Sequence, residues 1–223
     1  MTSTKTILVA TTNPGKVREL RALLGEGVEW KSLADFPGVA EVKENGATFA
    51  ENARKKALGY AQATGLWTLA DDSGLVVDAL GGAPGVNSAR FSGKRAKGAD
   101  RRIVDRRNME KLLSLLQGIP REKRTARFTC CLCLASPEKV LIETQGSLEG
   151  LITEEPAGTG GFGYDPVFLV PQLGKTVAQL GEDEKNAISH RGNAMRKLKP
   201  LLQELLEGGP ETGGSPNKGS ARR

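Results

Sequence analysis

The run Ala126–Ala135 (ARFTCCLCLA) constrains the fold more than any other segment. It is almost continuously apolar, so it reads as a strand buried within a sheet. Ser136-Pro137 turns the chain and Lys139–Gly150 returns as a second strand, an antiparallel hairpin. The chain opens differently. Thr6–Ala10 (TILVA) is a short apolar strand, Thr11–Lys16 (TTNPGK) a turn, and Val17–Leu24 begins a helix with Val17, Leu20, Leu23 and Leu24 on one face. A βα unit implies parallel strands and a hairpin antiparallel ones, so the expected class is α/β with a mixed sheet.

The remaining segments fit that frame. Val28–Leu33 reads as a strand, and Thr48–Thr64 as a helix opened by a Thr48-x-x-Glu51 capping box. Thr68–Ala70 is a strand predicted to end at Asp71-Asp72-Ser73-Gly74, with Leu75–Leu80 as extended chain and Gly81–Phe91 as a Gly/Pro loop. Arg101–Leu116 is a helix burying Met109, Leu112, Leu113 and Leu116. Pro166–Val170 is a short strand, and Ala187–Glu207 a last helix that Pro200 is expected to kink. A length of 223 residues suits one large domain, or two lobes sharing a sheet. After Glu207 the sequence GGPETGGSPNKGSARR has no core former. Residues 1–207 are therefore the expected domain and 208–223 a disordered tail.

Several classes are excluded. No apolar run approaches the roughly 18 residues of a membrane span, and the polar start Met1–Ile7 does not read as a signal peptide. The formal charge of +6 invites a nucleic-acid reading. Nearly all of it, however, lies in Lys94–Arg107, where Lys94, Arg95, Lys97, Arg101, Arg102, Arg106 and Arg107 face only Asp100 and Asp105. That run holds no aromatic for base stacking, so a solvated helix face is the expectation, with a local anion-attracting surface as the alternative. Cys130, Cys131 and Cys133 share one strand, where neighbours point to opposite faces, and the only histidine, His190, is far along the chain. Reduced core thiols are expected, as in the cytoplasm.

Two phosphate motifs fail on context. Gly158–Gly163 spells GxGxxG, but a strand follows it where the fingerprint needs a helix. Gly174-Lys175-Thr176 resembles the end of a P-loop, but the required earlier glycine is Leu169.

Four other clusters carry chemistry. Thr11, Asn13, Gly15 and Lys16 crowd the turn after the first strand, where open α/β sheets bind ligands and a phosphate can meet N–H groups and a lysine. Asp71-Asp72 can hold a hard cation or accept a proton from water. Phe162-Gly163-Tyr164-Asp165-Pro166 sets an aromatic ring, able to stack on a base, beside a carboxylate able to accept from ring N–H groups. Ser189-His190-Arg191, with Lys185 nearby, is a donor-rich corner for carbonyl or phosphate oxygens. Together they describe a nucleoside triphosphate site without a P-loop.

The ordered set TTNPGK (11–16), ENA (51–53), ADDSGL (70–75), GGAPG (81–85), SARFSG (88–93), GGFGYDP (160–166) and SHRG (189–192) resembles the inosine/xanthosine triphosphate pyrophosphatases. The resemblance spans about residues 5–206. It implies a two-lobed α/β fold around a long mixed β-sheet flanked by helices, with the active site in the cleft between lobes, and a homodimer. It implies hydrolysis of XTP, ITP or dITP to the monophosphate and pyrophosphate with Mg²⁺. By position, Thr11, Thr12, Asn13, Pro14, Gly15 and Lys16 would hold the phosphates, assisted by Lys56, and Ser73 would contact substrate. Glu44 and Asp72 would serve Mg²⁺, with Asp72 also the general base. Phe162 would stack on the base, and Gly163, Tyr164, Asp165, Lys185, His190 and Arg191 would line its pocket. The rival readings are a non-hydrolysing nucleotide sensor, a nucleic-acid binder built on the basic run, and a related pyrophosphatase acting on pyrimidine nucleotides. The intact Asp72, Glu44 and Lys16 argue against the first, and the FGYD and His190-Arg191 motifs against the last.

Overall fold

The computed structural model describes residues 5–11, 24, 27–93 and 100–208. The turn Thr12–Lys16, most of the expected helix Val17–Leu24, the basic residues Lys94, Arg95 and Lys97, and the tail from 209 onward lie outside the described residues. The strands are Lys5–Val9 (β1), Val28–Ser32 (β2), Trp67–Val77 (β3), Thr125–Ala135 (β4), Val140–Ile152 (β5), Phe168–Val170 (β6) and Lys175–Thr176 (β7). The helices are Phe49–Thr64 (α1), Arg101–Leu115 (α2), Glu182–Ile188 (α3) and His190–Leu206 (α4). The strands form a single mixed sheet in the order β2-β1-β3-β4-β5-β6-β7. β1 runs parallel to β2 and β3, and every later neighbour is antiparallel. The expected α/β class and the β4–β5 hairpin are both present.

Both faces of the central strands are covered, which is why β4 is apolar throughout. Cys131, Cys133 and Ala135 meet Phe49, Ala53 and Ala57 of α1 on one face. On the other, Cys130, Leu132 and Leu134 pack with Met195, Leu198 and Leu202 of α4, while Ala126 and Phe128 pack with Leu112 of α2. The three thiols are free and buried, and burial pushes Cys130 and Cys133 up to about 12 and Cys131 to about 11. They are core groups, not nucleophiles. Among the described residues no helix is long and apolar enough to cross a membrane.

The structure departs from the sequence reading in three places. β3 does not stop at Ala70 but runs to Val77, with Asp71, Asp72 and Ser73 paired to Leu132, Cys131 and Cys130 of β4. The long apolar neighbour supplies the ladder that keeps this polar stretch extended. The last helical region is two helices, because Ser189 leaves α3 and caps α4, its Oγ accepting from the Gly192 N–H at 3.0 Å. α4 then continues past Pro200 to Leu206. In α2, Leu112 is fully buried and Val104 largely so, whereas Met109 and Leu113 only flank the cluster.

Candidate active site

β3 is only partly covered on the side of β1. The pairing with β1 spans Trp67–Leu69 and is continued by the Ala10 N–H, which donates to the Leu69 carbonyl at 2.8 Å. Farther along, the Leu75 N–H donates to Ser88 Oγ at 2.9 Å and Val76 bridges Pro84. Between them, from Ala70 to Gly74, no strand lies on that side among the described residues. Thr11 stands at the head of this opening, immediately after β1, its carbonyl accepting from the Leu33 N–H at 3.0 Å. Thr12, Asn13, Pro14, Gly15 and Lys16 lie outside the described residues.

The two adjacent acids point to opposite faces of the sheet, as residues i and i+1 of a strand must. Asp72 shares the α1 face with Ala70. Its Oδ1 accepts from the Ser73 N–H at 3.1 Å, while its Oδ2 is buried with no hydrogen-bond partner among the described residues. Burial is the largest influence and pushes the Asp72 carboxyl up to about 6; Asn52 and Lys56 pull it down, and Glu44 and Asp71 add to the rise. Lys56 Nζ lies 3.3 Å from Glu44 Oε1. Glu44, Lys56 and Asp72 are thus brought together on one face.

α1 builds this cluster. Lys56 follows Asn52 by one turn, so both project to the same side. The segment carrying Glu44 is pinned at several points. The Val42 N–H donates to Tyr60 Oη at 3.2 Å, the Gly46 N–H to Asn52 Oδ1 at 2.7 Å, and the Ala47 N–H to Glu51 Oε2 at 2.7 Å. Thr48 Oγ1 accepts from the Glu51 N–H at 3.1 Å, so the predicted capping residue is in place. Asn52 was not singled out by chemistry in the sequence. Its signal is a lone amide, 1% exposed, in an otherwise Ala-rich buried helix face.

On the opposite face, Arg191 Nη2 lies 3.4 Å from Asp71 Oδ2, with both side chains more than four-fifths buried. Ser73 lies on this face opposite Cys130, its Oγ buried with no hydrogen-bond partner among the described residues. The His190 ring stacks on Phe128, with centroids 5.1 Å apart and planes at 20°. His190 and Arg191 are the first two residues of α4, which approaches β5 so closely at Gly146 that a Cβ there would run into the His190 carbonyl and the Ala194 N–H.

The glycine-rich loop presents Phe162 half-exposed, at 49%. Asp165 beneath it is buried, and its Oδ2 accepts from the Phe162 N–H at 2.9 Å and from Lys185 Nζ, on α3, at 2.7 Å. Gly161, at φ +72°, permits this closure, since a Cβ would fall on Asp165 Oδ2. The Gly163 N–H donates to Asp105 Oδ2 of α2 at 3.0 Å. Tyr164 is buried and donates to the Ser88 carbonyl at 2.9 Å, anchoring the loop to the Gly85–Arg90 turn. Phe162, Gly163, Asp165 and Lys185 therefore form one unit, and Tyr164 holds it from within.

The Ham1 family pattern matches residues 7–201. The chain is 50% identical to the dITP/XTP pyrophosphatase of Geobacillus kaustophilus over 205 residues, covering 92% of this chain and 97% of that protein. It is 48% identical to the Bacillus subtilis protein of the same name over 200 residues, 89% of this chain and 98% of that one. Among solved structures, the Staphylococcus aureus Ham1 protein superposes with a TM-score of 0.81 at 36% identity, covering 90% of this chain and 100% of that one. A nucleoside-triphosphatase (dITP/XTP pyrophosphatase) from Mycobacterium abscessus gives 0.73 at 45% identity, covering 87% and 99%. On sequence and on fold alike, the chain belongs to the Ham1 family.

Proposed function

We propose that this protein is a nucleoside triphosphate pyrophosphatase that hydrolyses XTP, ITP and dITP to the monophosphate and pyrophosphate, keeping non-standard purines out of DNA and RNA. The relatives' names point to that substrate class. The observation that carries the chemistry is Asp72, a carboxylate with one buried, unsatisfied oxygen beside Glu44 and Lys56 at the uncovered stretch of β3.

Asp72 is the general base that takes a proton from the water attacking the α-phosphorus. A carboxyl raised to about 6 is ionised near neutral pH yet basic enough for that role. Thr11 through Lys16 and Lys56 hold the phosphates, and Ser73 offers its hydroxyl to substrate. Two hard oxygen donors, Glu44 and Asp72, suit Mg²⁺, and the open lone pair on Asp72 Oδ2 fits such a ligand. When bound, the ion offsets repulsion between carboxylates and triphosphate and stabilises the leaving group.

Phe162 stacks on the base, and Gly163, Asp165, Lys185, His190 and Arg191 surround it, with Tyr164 supporting the loop. His190 and Arg191 donate to the 6-oxo group of hypoxanthine or xanthine. Adenine presents an amino group there and leaves a buried donor unpaired, which is costly. The site lies in a cleft between two lobes of one domain spanning residues 1–207, with 208–223 a tail, and the protein acts as a cytoplasmic homodimer. The lobes, cleft and dimer rest on the family resemblance, the tail on its composition, and the compartment on the free buried thiols.

Hydrolysis of ITP in ¹⁸O-labelled water tests the point of attack. The label is expected in IMP. Label in pyrophosphate would place the attack on the β-phosphorus and remove Asp72 from the proposed position.

A further inference from the structure

Besides Asp105, the segment Lys94–Arg107 brings Arg101 to the site. Its guanidinium carbon stands 4.7 Å from the centroid of Phe162. Its side chain is 60% exposed, and its contact with Asp105 is loose, at 3.8 Å. Lys185 Nζ also lies against the same ring, 4.9 Å from the centroid, but is tied at 2.7 Å to the buried Asp165 carboxylate. Phe162 is therefore flanked by one anchored cation and one that can swing away. Arg106, five residues on in α2, instead pairs with Glu110 at 3.2 Å, as a solvated helix face should.

We propose that Arg101 is the second half of the base subsite: a purine enters between Phe162 and Arg101, and the guanidinium closes on the outer face of the base. This rests on the reading of Phe162 as the stacking ring. Arginine suits the task because its planar, weakly hydrated cation stacks on the faces of both phenyl and purine rings. Lys185 is unsuited, since moving would strand a buried carboxylate. The geometry is held in register by Asp105, one turn beyond Arg101 on α2, which accepts from the Gly163 N–H of the loop carrying Phe162.

The test compares ITP hydrolysis by wild type, Arg101→Ala, Arg101→Lys and Phe162→Ala, together with inhibition by inorganic tripolyphosphate. In both Arg101 variants KM for ITP is expected to rise about three- to tenfold, with kcat changed by less than about twofold and tripolyphosphate inhibition unchanged. An unchanged KM in Arg101→Ala overturns the proposal, and a lowered one does so by making Arg101 a plug. Full rescue by lysine, or a parallel loss of tripolyphosphate affinity, overturns it too, because charge acting on phosphates would then account for the effect. If Phe162→Ala also leaves KM unchanged, the stacking reading itself fails; if only that variant raises KM, the failure belongs to Arg101 alone.

Discussion

Asp72→Asn is expected to lower kcat by about three orders of magnitude and, in chelator, to raise the melting temperature. The first effect follows from removing the general base together with one of two carboxylates offered to the cation. The second follows from the same burial that prepares the base. Asp72 sits with one oxygen unsatisfied and its carboxyl pushed up to about 6. A carboxyl with a raised folded pKa binds its proton more tightly in the native state than in the unfolded chain. Native stability from this group is then highest below pH 4 and falls as pH rises from about 4 to about 6, the opposite of a salt-bridged aspartate. The asparagine variant escapes that loss. Its advantage is expected to open between pH 4 and 6 and to level off above, at about 1–2 kcal/mol once solvent screening of this partly exposed group is allowed for, or roughly 2–8 °C. Thermal melts of metal-free protein at pH 4, 6 and 8 measure it. An advantage that shrinks with rising pH would show that Asp72 is not strained by burial. In wild type, kcat/KM is expected to fall on the acid side at or below about pH 6, since a bound cation lowers the carboxyl further.

Gly146→Ala is expected to cost about 2–3 kcal/mol and to raise KM for ITP. The obstacle is backbone, the His190 carbonyl and the Ala194 N–H, so no side-chain rotation relieves it. α4 must lift from β5, and its first two residues are His190 and Arg191, the donors assigned to the base. Stability and KM should therefore move together. Gly38→Ala is the control: open space surrounds that position, and neither quantity should change beyond about 0.5 kcal/mol. A neutral Gly146→Ala would mean that the α4–β5 approach does not set the position of His190 and Arg191.

The legible parts of the fold were those where apolar pattern and structure share a period. The continuous apolar run of β4, its hairpin return and the Thr48 cap of α1 all stand where the sequence places them. The sequence pattern breaks at Asp71-Asp72-Ser73-Gly74, yet pairing with β4 carries β3 straight through. Extended chain sends Asp71 to Arg191 and Asp72 to the α1 face, so they do not serve one cation together. Asn52 and Arg101 were illegible for another reason. Their roles depend on partners six and sixty-one residues away, Gly46 and Phe162, which local spacing does not reveal. The rejection of the GxGxxG decoy needed only local context, and a short turn followed by β6 stands where a dinucleotide fold would begin a helix.

The reaction and its substrate class are tested by pyrophosphate release from ITP, XTP, dITP, GTP, ATP and dTTP, each with Mg²⁺ and with chelator. Mg²⁺-dependent release confined to the first three nucleotides is expected. Equal release from ATP or dTTP, release that survives chelation, or no release from any nucleotide would contradict it.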